Sequence, residues 1–182
     1  MTFFDMKDIE TERLILRKIA KEDASDMYEY SKDPKTSEFL TWSPHESVSY
    51  TKKYIRFLLK KYKTGEYFDW AIEEKESGKF IGTCGFPLFD PENSKAEIGY
   101  VLNPSFWGRG YATEAVTAIV DYAFSSLKLH RLEARCMKNN SSSENVLKKC
   151  AFSLEGVFKD ELIIKGEYKT ISHFALLNPN NK

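Results

Sequence analysis

The spacing of apolar residues changes along this chain, and each change marks an element. Leu14 and Leu16 alternate with Arg13, Ile15 and Arg17, so Thr11 to Ile19 is predicted as a strand. Lys21 to Ser31 is a short polar helix. Glu46 to Tyr62 is a second helix, with Val48, Tyr54, Ile55, Leu58, Leu59 and Tyr62 on one stripe at spacings of three and four. Phe68, Trp70 and Ile72 alternate with Asp69, Ala71 and Glu73, which is strand periodicity. Ser77-Gly78-Lys79 turns the chain into a partner strand over Phe80 to Phe89, and Asp90-Pro-Glu-Asn93 turns it again into Ala96 to Leu102.

A loop from Asn103 to Gly110 then leads into an amphipathic helix, Ala112 to Leu127, with Ala112, Val116, Ile119, Val120, Ala123, Phe124 and Leu127 on one face. Leu129 to Met137 is a strand and Ser143 to Cys150 a short helix. Leu154 to Ile164 and Tyr168 to Leu176 form a hairpin turned at Lys165-Gly166. The predicted order is β-α-α-β-β-β-α-β-α-β-β, an α+β (mixed α/β) fold around one sheet. The stretch from Ala96 to Met137 is long enough for one parallel crossover.

The 182 residues fit one domain, 1–182, and no Pro/Gly/Ser-rich linker divides them. The 27 Lys and Arg balance 27 Asp and Glu, which argues against a nucleic-acid coat or a polybasic membrane protein. Met1 to Ile9 lacks the apolar core of a signal peptide, and no apolar run reaches the roughly 20 residues of a membrane helix. Cys84, Cys136 and Cys150 are widely spaced and odd in number. They suggest reduced thiols in a cytoplasmic setting rather than a disulfide framework or a metal site.

The segment that carries chemistry is Asn103-Pro-Ser-Phe-Trp-Gly-Arg-Gly-Tyr-Ala-Thr-Glu-Ala115, between a strand and a helix. Gly108 and Gly110 let a ligand approach the backbone. The first helix amides lack internal partners, and the helix dipole adds partial positive charge there. Together these make a pyrophosphate cradle, with Arg109 beside it. A plain connecting turn is the simplest alternative. A Rossmann turn would need a third glycine where Thr113 stands, and a P-loop would need Gly-Lys-Ser/Thr, which is absent.

This segment resembles motif A of the GNAT acyltransferases, Gln/Arg-x-x-Gly-x-Gly/Ala, with Trp107 in the first place. Trp-Gly-Arg-Gly-Tyr-Ala-Thr-Glu-Ala, the preceding Ala96-Glu-Ile-Gly-Tyr-Val-Leu-Asn-Pro104, and Asn140-Ser-Ser-Ser143 followed by Val146, Leu147, Lys149 and Phe152 look like the RimJ/RimL-type branch, which acetylates ribosomal-protein N-termini. Ala151 stands where that branch usually has glycine.

The resemblance implies the GNAT fold and transfer of an acetyl group from acetyl-CoA to an amine. It implies that Ala96–Leu102 and Leu129–Met137 splay apart around the pantetheine arm. The amides of Tyr100, Val101 and Leu102 would then meet the pantetheine and a developing oxyanion. The cradle Trp107, Gly108, Arg109, Gly110, Tyr111, Ala112 and Thr113 would hold the pyrophosphate, and Asn140 the pantetheine. Ser143 would give a proton to the leaving thiolate, or else only cap its helix. Glu97 is the first candidate for general base and Glu161 the second, while Glu133 reads as part of an ion-pair ladder with Arg131 and Arg135. Phe39, Trp42 and Phe86, with Phe89 and the Leu162–Tyr168 hairpin, would wall the acceptor slot.

No metal, nucleic acid or membrane is implied, and the protein would be a monomer or homodimer. The expected acceptor is a protein or peptide N-terminal α-amine, whose pKa near 7.7–8.0 makes it easy to deprotonate. The alternatives are a small amine such as a polyamine or antibiotic, and a non-catalytic coenzyme A sensor. The polyamine branch carries a tyrosine acid where this chain has Leu147, which counts against that reading. The three histidines, His45, His130 and His173, read as isolated surface or core residues.

Overall fold

The computed structural model describes residues 6–64 and 67–180; of the N-terminal stretch considered above, Met1 to Asp5 lie outside the described residues. The strands are β1 (Ile9–Glu10), β2 (Leu14–Lys18), β3 (Phe68–Glu74), β4 (Lys79–Asp90), β5 (Lys95–Leu102), β6 (Arg131–Met137), β7 (Ser153–Ile164) and β8 (Glu167–Leu177). The helices are α1 (Ala24–Ser31), α2 (Pro34–Ser37), α3 (Val48–Lys61), α4 (Tyr111–Ser125) and α5 (Ser141–Lys149). Every predicted element is present within a few residues. Two short ones, β1 and α2, carry too few residues to show a period.

The strands form one sheet in the order β1-β2-β3-β4-β5-β6-β8-β7. All neighbours are antiparallel except β5 and β6, which the α4 crossover makes parallel. The larger core lies on the α4–α5 face, where Leu14, Leu16, Trp70, Phe86, Ile98, Leu132 and Phe174 meet Ala115, Val116 and Ile119. The opposite face is covered by α1 and α3 through Met27, Tyr30, Ile55, Leu58 and Tyr62. A third, smaller cluster joins Met137, Ile164 and Ile171 to Phe39 and Leu162. The Lys165 ammonium in the β7–β8 turn reaches the Ser37 carbonyl at 2.5 Å, tying that hairpin to α2.

The parallel pairing is short. Lys95, Ala96 and Glu97 oppose Arg131, Leu132 and Glu133, and beyond that the two strands part. A notch therefore opens between Gly99–Leu102 and Ala134–Met137. No helix of the described chain is long and apolar enough to cross a membrane.

Ala151 ends α5 in the left-handed region at φ 65°. This is the position where the resembling branch carries glycine, and the turn keeps its shape with a methyl group present. Replacing Ala151 with Gly relieves that strain, worth roughly 0.5–1 kcal/mol. The expected outcome is a thermal midpoint higher by about 2–4 °C, read by calorimetry.

Candidate active site

Three features meet at the notch: a cradle at its upper end, a hydroxyl pair beneath it, and a row of charges beside it. The cradle is the turn from Trp107 into α4. Gly108 and Gly110 take φ values of 75° and 83°, which L side chains rarely adopt. A Cβ placed on Gly108 would meet no atom within 4 Å, so the space above it is open. Gly110 is the N-cap residue of α4 and offers no side-chain cap. The first intrahelical bond runs from the Glu114 amide to the Gly110 carbonyl at 3.0 Å, so the amides of Tyr111 to Thr113 precede the helical ladder.

Arg13 holds this turn in place. Its guanidinium bonds the Arg109 carbonyl at 2.9 Å and the Glu114 carboxylate at 2.7 Å, and it stands 4.4 Å over the Tyr111 ring. Tyr111 in turn donates to Glu74 at 2.5 Å. Arg109 lies over the Phe106 ring, and the Trp107 indole donates to the Leu102 carbonyl at 2.8 Å. Open backbone, unladdered amides, a helix N-terminus and a nearby guanidinium fit a pyrophosphate. No side chain fills the space such a group would take.

The β5 amides divide by alternation. The Asn103 amide bonds the Ile81 carbonyl at 2.7 Å, so Val101 and Gly99 also direct their amides at β4. Tyr100 and Leu102 face the notch. Of the three amides expected there, the Val101 amide belongs to the β4 side.

Beneath the notch, the Tyr100 hydroxyl meets the Ser143 hydroxyl at 2.8 Å and donates to the Ser143 carbonyl at 3.1 Å. The cap of α5 is Asn140, whose side-chain oxygen accepts from the Ser143 amide at 3.1 Å. The capping alternative for Ser143 therefore fails, and its hydroxyl is turned to Tyr100 and Cys136. Burial raises the Tyr100 phenol. It also pushes the Cys136 thiol up to about 11, so this cysteine is a neutral thiol, and Cys84 and Cys150 are likewise buried and free.

On the α3 side of the notch, Glu97 is not an isolated carboxylate. Arg135 bonds it at 2.8 Å, completing a ladder with Arg131 and Glu133, which themselves pair at 2.7 Å. Glu161 sits in a bulge where β7 gains residues against β8 between Phe158 and Leu162, with Asp160 at φ 53°. The bulge turns Glu161 onto His173 Nε2 at 2.7 Å. His173 faces Arg135 across β6 and β8. Both sequence-predicted bases therefore already hold partners, and His173, read as isolated from the sequence, is not.

The aromatic residues expected in the slot separate. Phe86 is fully buried between Trp70 and Phe89 and is a core residue, which corrects its assignment to substrate. The alternation of β4 directs Phe86 to the α4 side, and a single strand gives no sign of which face is covered. Phe39 lies half-buried over Met137 and Ile164. Trp42 leans on His45, whose Nδ1 meets the Thr51 hydroxyl at 2.9 Å and whose pKa is lowered by burial.

A groove of about 660 Å³ runs between α3 and the β4–β5 turn, lined by Tyr54, Phe57, Tyr67, Pro87 and Leu88 among others. Pro87 also covers Gly99, whose Cβ would come within 3.1 Å of the proline ring. Behind the groove lies Asp69, a buried carboxyl that the sequence reading did not single out. Its carboxylate accepts from Tyr67 at 3.3 Å and from Thr83, and burial raises its pKa to about 7. The strand alternation put Asp69 and Glu73 on the same face and gave no sign of which of them would be buried.

An acid whose folded pKa lies above its unfolded value of 3.8 binds its proton more tightly when folded. Its contribution to stability is full below pH 4 and is lost as pH rises through 7, by a few kcal/mol at about 1.4 per unit. Urea unfolding between pH 4 and 8 should show this decline in the native protein, and Asp69→Asn should flatten it.

Comparison with known proteins agrees with this geometry. Residues 13–153 match the acetyltransferase (GNAT) domain family. The N-acetyltransferase p20 of Bacillus licheniformis is 38% identical over 172 residues, 94% of this chain and 97% of that protein. The [ribosomal protein uS5]-alanine N-acetyltransferase of Escherichia coli is 27% identical over 177 residues, 93% of this chain and 90% of that one. A GNAT-family acetyltransferase from Bacillus anthracis superposes with a TM-score of 0.84 at 27% identity, covering 94% of this chain and 99% of its own. RimL, a ribosomal L7/L12 α-N-protein acetyltransferase solved with coenzyme A, shares the fold at a TM-score of 0.85 and 23% identity, over 94% and 98%. With a family model spanning most of its length and a cradle shaped for the cofactor, this chain belongs to the GNAT family and is an N-acetyltransferase that uses acetyl-CoA.

Proposed function

We propose that this protein acetylates the α-amine of a protein or peptide N-terminus, on one domain formed by the whole chain. The observation that carries the reading is the partly buried Tyr100–Ser143 hydroxyl pair closing the notch from below, 2.8 Å apart. Relatives that act on ribosomal-protein N-termini, the uS5-alanine enzyme among them, support the choice of acceptor.

Acetyl-CoA supplies the activated acyl carbon and the thiol leaving group when bound. The amides of Tyr111, Ala112 and Thr113 and the Arg109 guanidinium hold the pyrophosphate, in the cradle formed by Trp107, Gly108 and Gly110. The Leu102 and Tyr100 amides line the notch and donate to the oxygen on which negative charge grows. Asn140, whose side-chain oxygen caps α5, offers its amide nitrogen to the pantetheine. Ser143 donates a proton to the leaving sulfur, and Tyr100 holds the serine hydroxyl in line and replaces its proton. Glu97 and Glu161, fixed by Arg135 and His173, border the acceptor's path as anchored charges that favour an ammonium group. Phe39 and Trp42 flank the entry beside α2.

Ser143→Ala should lower kcat by about 10²-fold while coenzyme A affinity stays within about threefold, as expected for loss of a proton donor. The readouts are free thiol release with peptides beginning in Ser, Ala or Met, and calorimetric titration of coenzyme A. Turnover of spermidine or an aminoglycoside with no turnover of any peptide would move the acceptor to small amines. Gly108→Ala places a methyl group in the open space of the cradle. Coenzyme A binding should weaken by about tenfold, the loss of roughly one charge-assisted hydrogen bond.

A further inference from the structure

Asp69 has no part in the cradle, the notch or the ion-pair row, yet its surroundings are those of a working group. It lies on the α3-facing side of β3, opposite Gly85 of β4, and Gly85 is opposite Gly99 of β5. Two glycines thus separate it from the notch on that face. No side chain from the intervening strands stands on this row, and the Pro87 ring lies over Gly99. From Asp69 a chain of hydroxyls leads outward. Tyr67 bonds its carboxylate at 3.3 Å, Tyr54 bonds Tyr67, and both tyrosines line the groove beside Pro87.

We propose that Asp69 receives the proton that the acceptor's ammonium group must lose, passed inward through the Tyr54 and Tyr67 hydroxyls from an N-terminal amine lying in the groove. The proposal rests on the N-terminal acceptor reading. The N–H bond of the ammonium breaks and nitrogen keeps the electron pair. The Tyr54 hydroxyl takes that proton as its own passes to Tyr67, whose proton moves on to the Asp69 carboxylate. The neutral nitrogen then bonds the acyl carbon of acetyl-CoA as the C–S bond breaks. The sulfur leaves with the Ser143 proton, the second nitrogen proton returns to the serine through Tyr100, and Asp69 loses its proton to solvent. Asp69 acts through the tyrosines and touches no substrate atom.

The groups facing Asp69 are Tyr30 from α1, Tyr54 from α3, Tyr62 and Tyr67 from the segment after α3, and Thr83 from β4, while Cys84 lies on the other face of the sheet. Burial raises all four phenols, so each stays neutral and relays rather than stores a proton. Asp23, the next acid inward, is neutralised by Arg17 at 2.8 Å. Lys61 stands further out, in the groove wall. An acid that titrates at about 7 is matched to an α-amine near 7.7–8.0 and poorly matched to a lysine near 10.4.

The test is the pH profile of kcat/KM from pH 5.5 to 9.5, measured by thiol release on whichever amine of the peptide and polyamine panel turns over. Wild-type protein should show an acid limb near pH 7. Asp69→Asn should fall about 10²-fold at pH 7 and recover most of that loss by pH 9.5, where solvent has already deprotonated the amine. Tyr67→Phe, which deletes one hydroxyl and leaves the ring in place, should show the same convergence from a smaller loss of about tenfold. Coenzyme A titration verifies that each variant is folded. A uniform loss across the range would make Asp69 structural and overturn the proposal. So would an unchanged profile in both variants, or loss of the limb in Glu161→Gln instead. Turnover confined to small amines would sink the N-terminal reading while the profile on that amine still decides Asp69, and no turnover of any amine would overturn both.

Discussion

Strands β5 and β6 lie side by side for three residue pairs and then part, and the chemistry of the protein depends on that parting. Backbone amides that would bond a neighbouring strand are left facing a gap. Unsatisfied buried donors are costly, so the gap is a site with a standing demand for an acceptor. An extended, amide-bearing arm such as that of acetyl-CoA would meet that demand as a strand does. The sheet on either side stays continuous through β4 and β8, so the notch holds its width.

The elements around the notch hold its working parts to fixed positions. Arg13, on the segment before β2, ties together the Arg109 carbonyl and the first turn of α4, so the cradle is clamped from a distant part of the chain. Below the notch, Tyr100 from β5 reaches Ser143 and ties that strand to α5. On the open face, the β7 bulge brings Glu161 to His173, and the β7–β8 turn reaches α2 through Lys165. One face is thus sealed by core and the other left for the acceptor, which fits a cofactor and a substrate that approach from opposite sides.

The two faces also treat charge differently. On the α4 side, the Cys136 thiol and the Tyr100 phenol are neutral, and Tyr100 and Ser143 form a hydroxyl pair under the notch. On the α3 side, carboxylates predominate. Glu97 is held in an ion pair with Arg135, Glu161 is bonded by His173, and Asp69 is buried among tyrosines. Burial raises the proton affinity of the Asp69 carboxyl.

The sequence alone determined the elements and the cradle. A period of two or of three to four records which side of an element is buried, and that survives without any knowledge of neighbours. Glycines at positions 108 and 110 between a strand and a helix likewise describe a local geometry, which the backbone adopted at positive φ. What tertiary structure decided was pairing. Whether Phe86 faced core or substrate depended on which helix covers each face of β4. Glu97 lost its standing as a free base because β6 brought Arg135 against it, 38 residues away. His173 gained a partner because a bulge displaced Glu161, and Asp69 became titratable near neutrality because four tyrosines from three separate segments closed over it. Local periodicity fixes which way a side chain points along its own element, whereas proton affinity depends on what the rest of the chain places beside it.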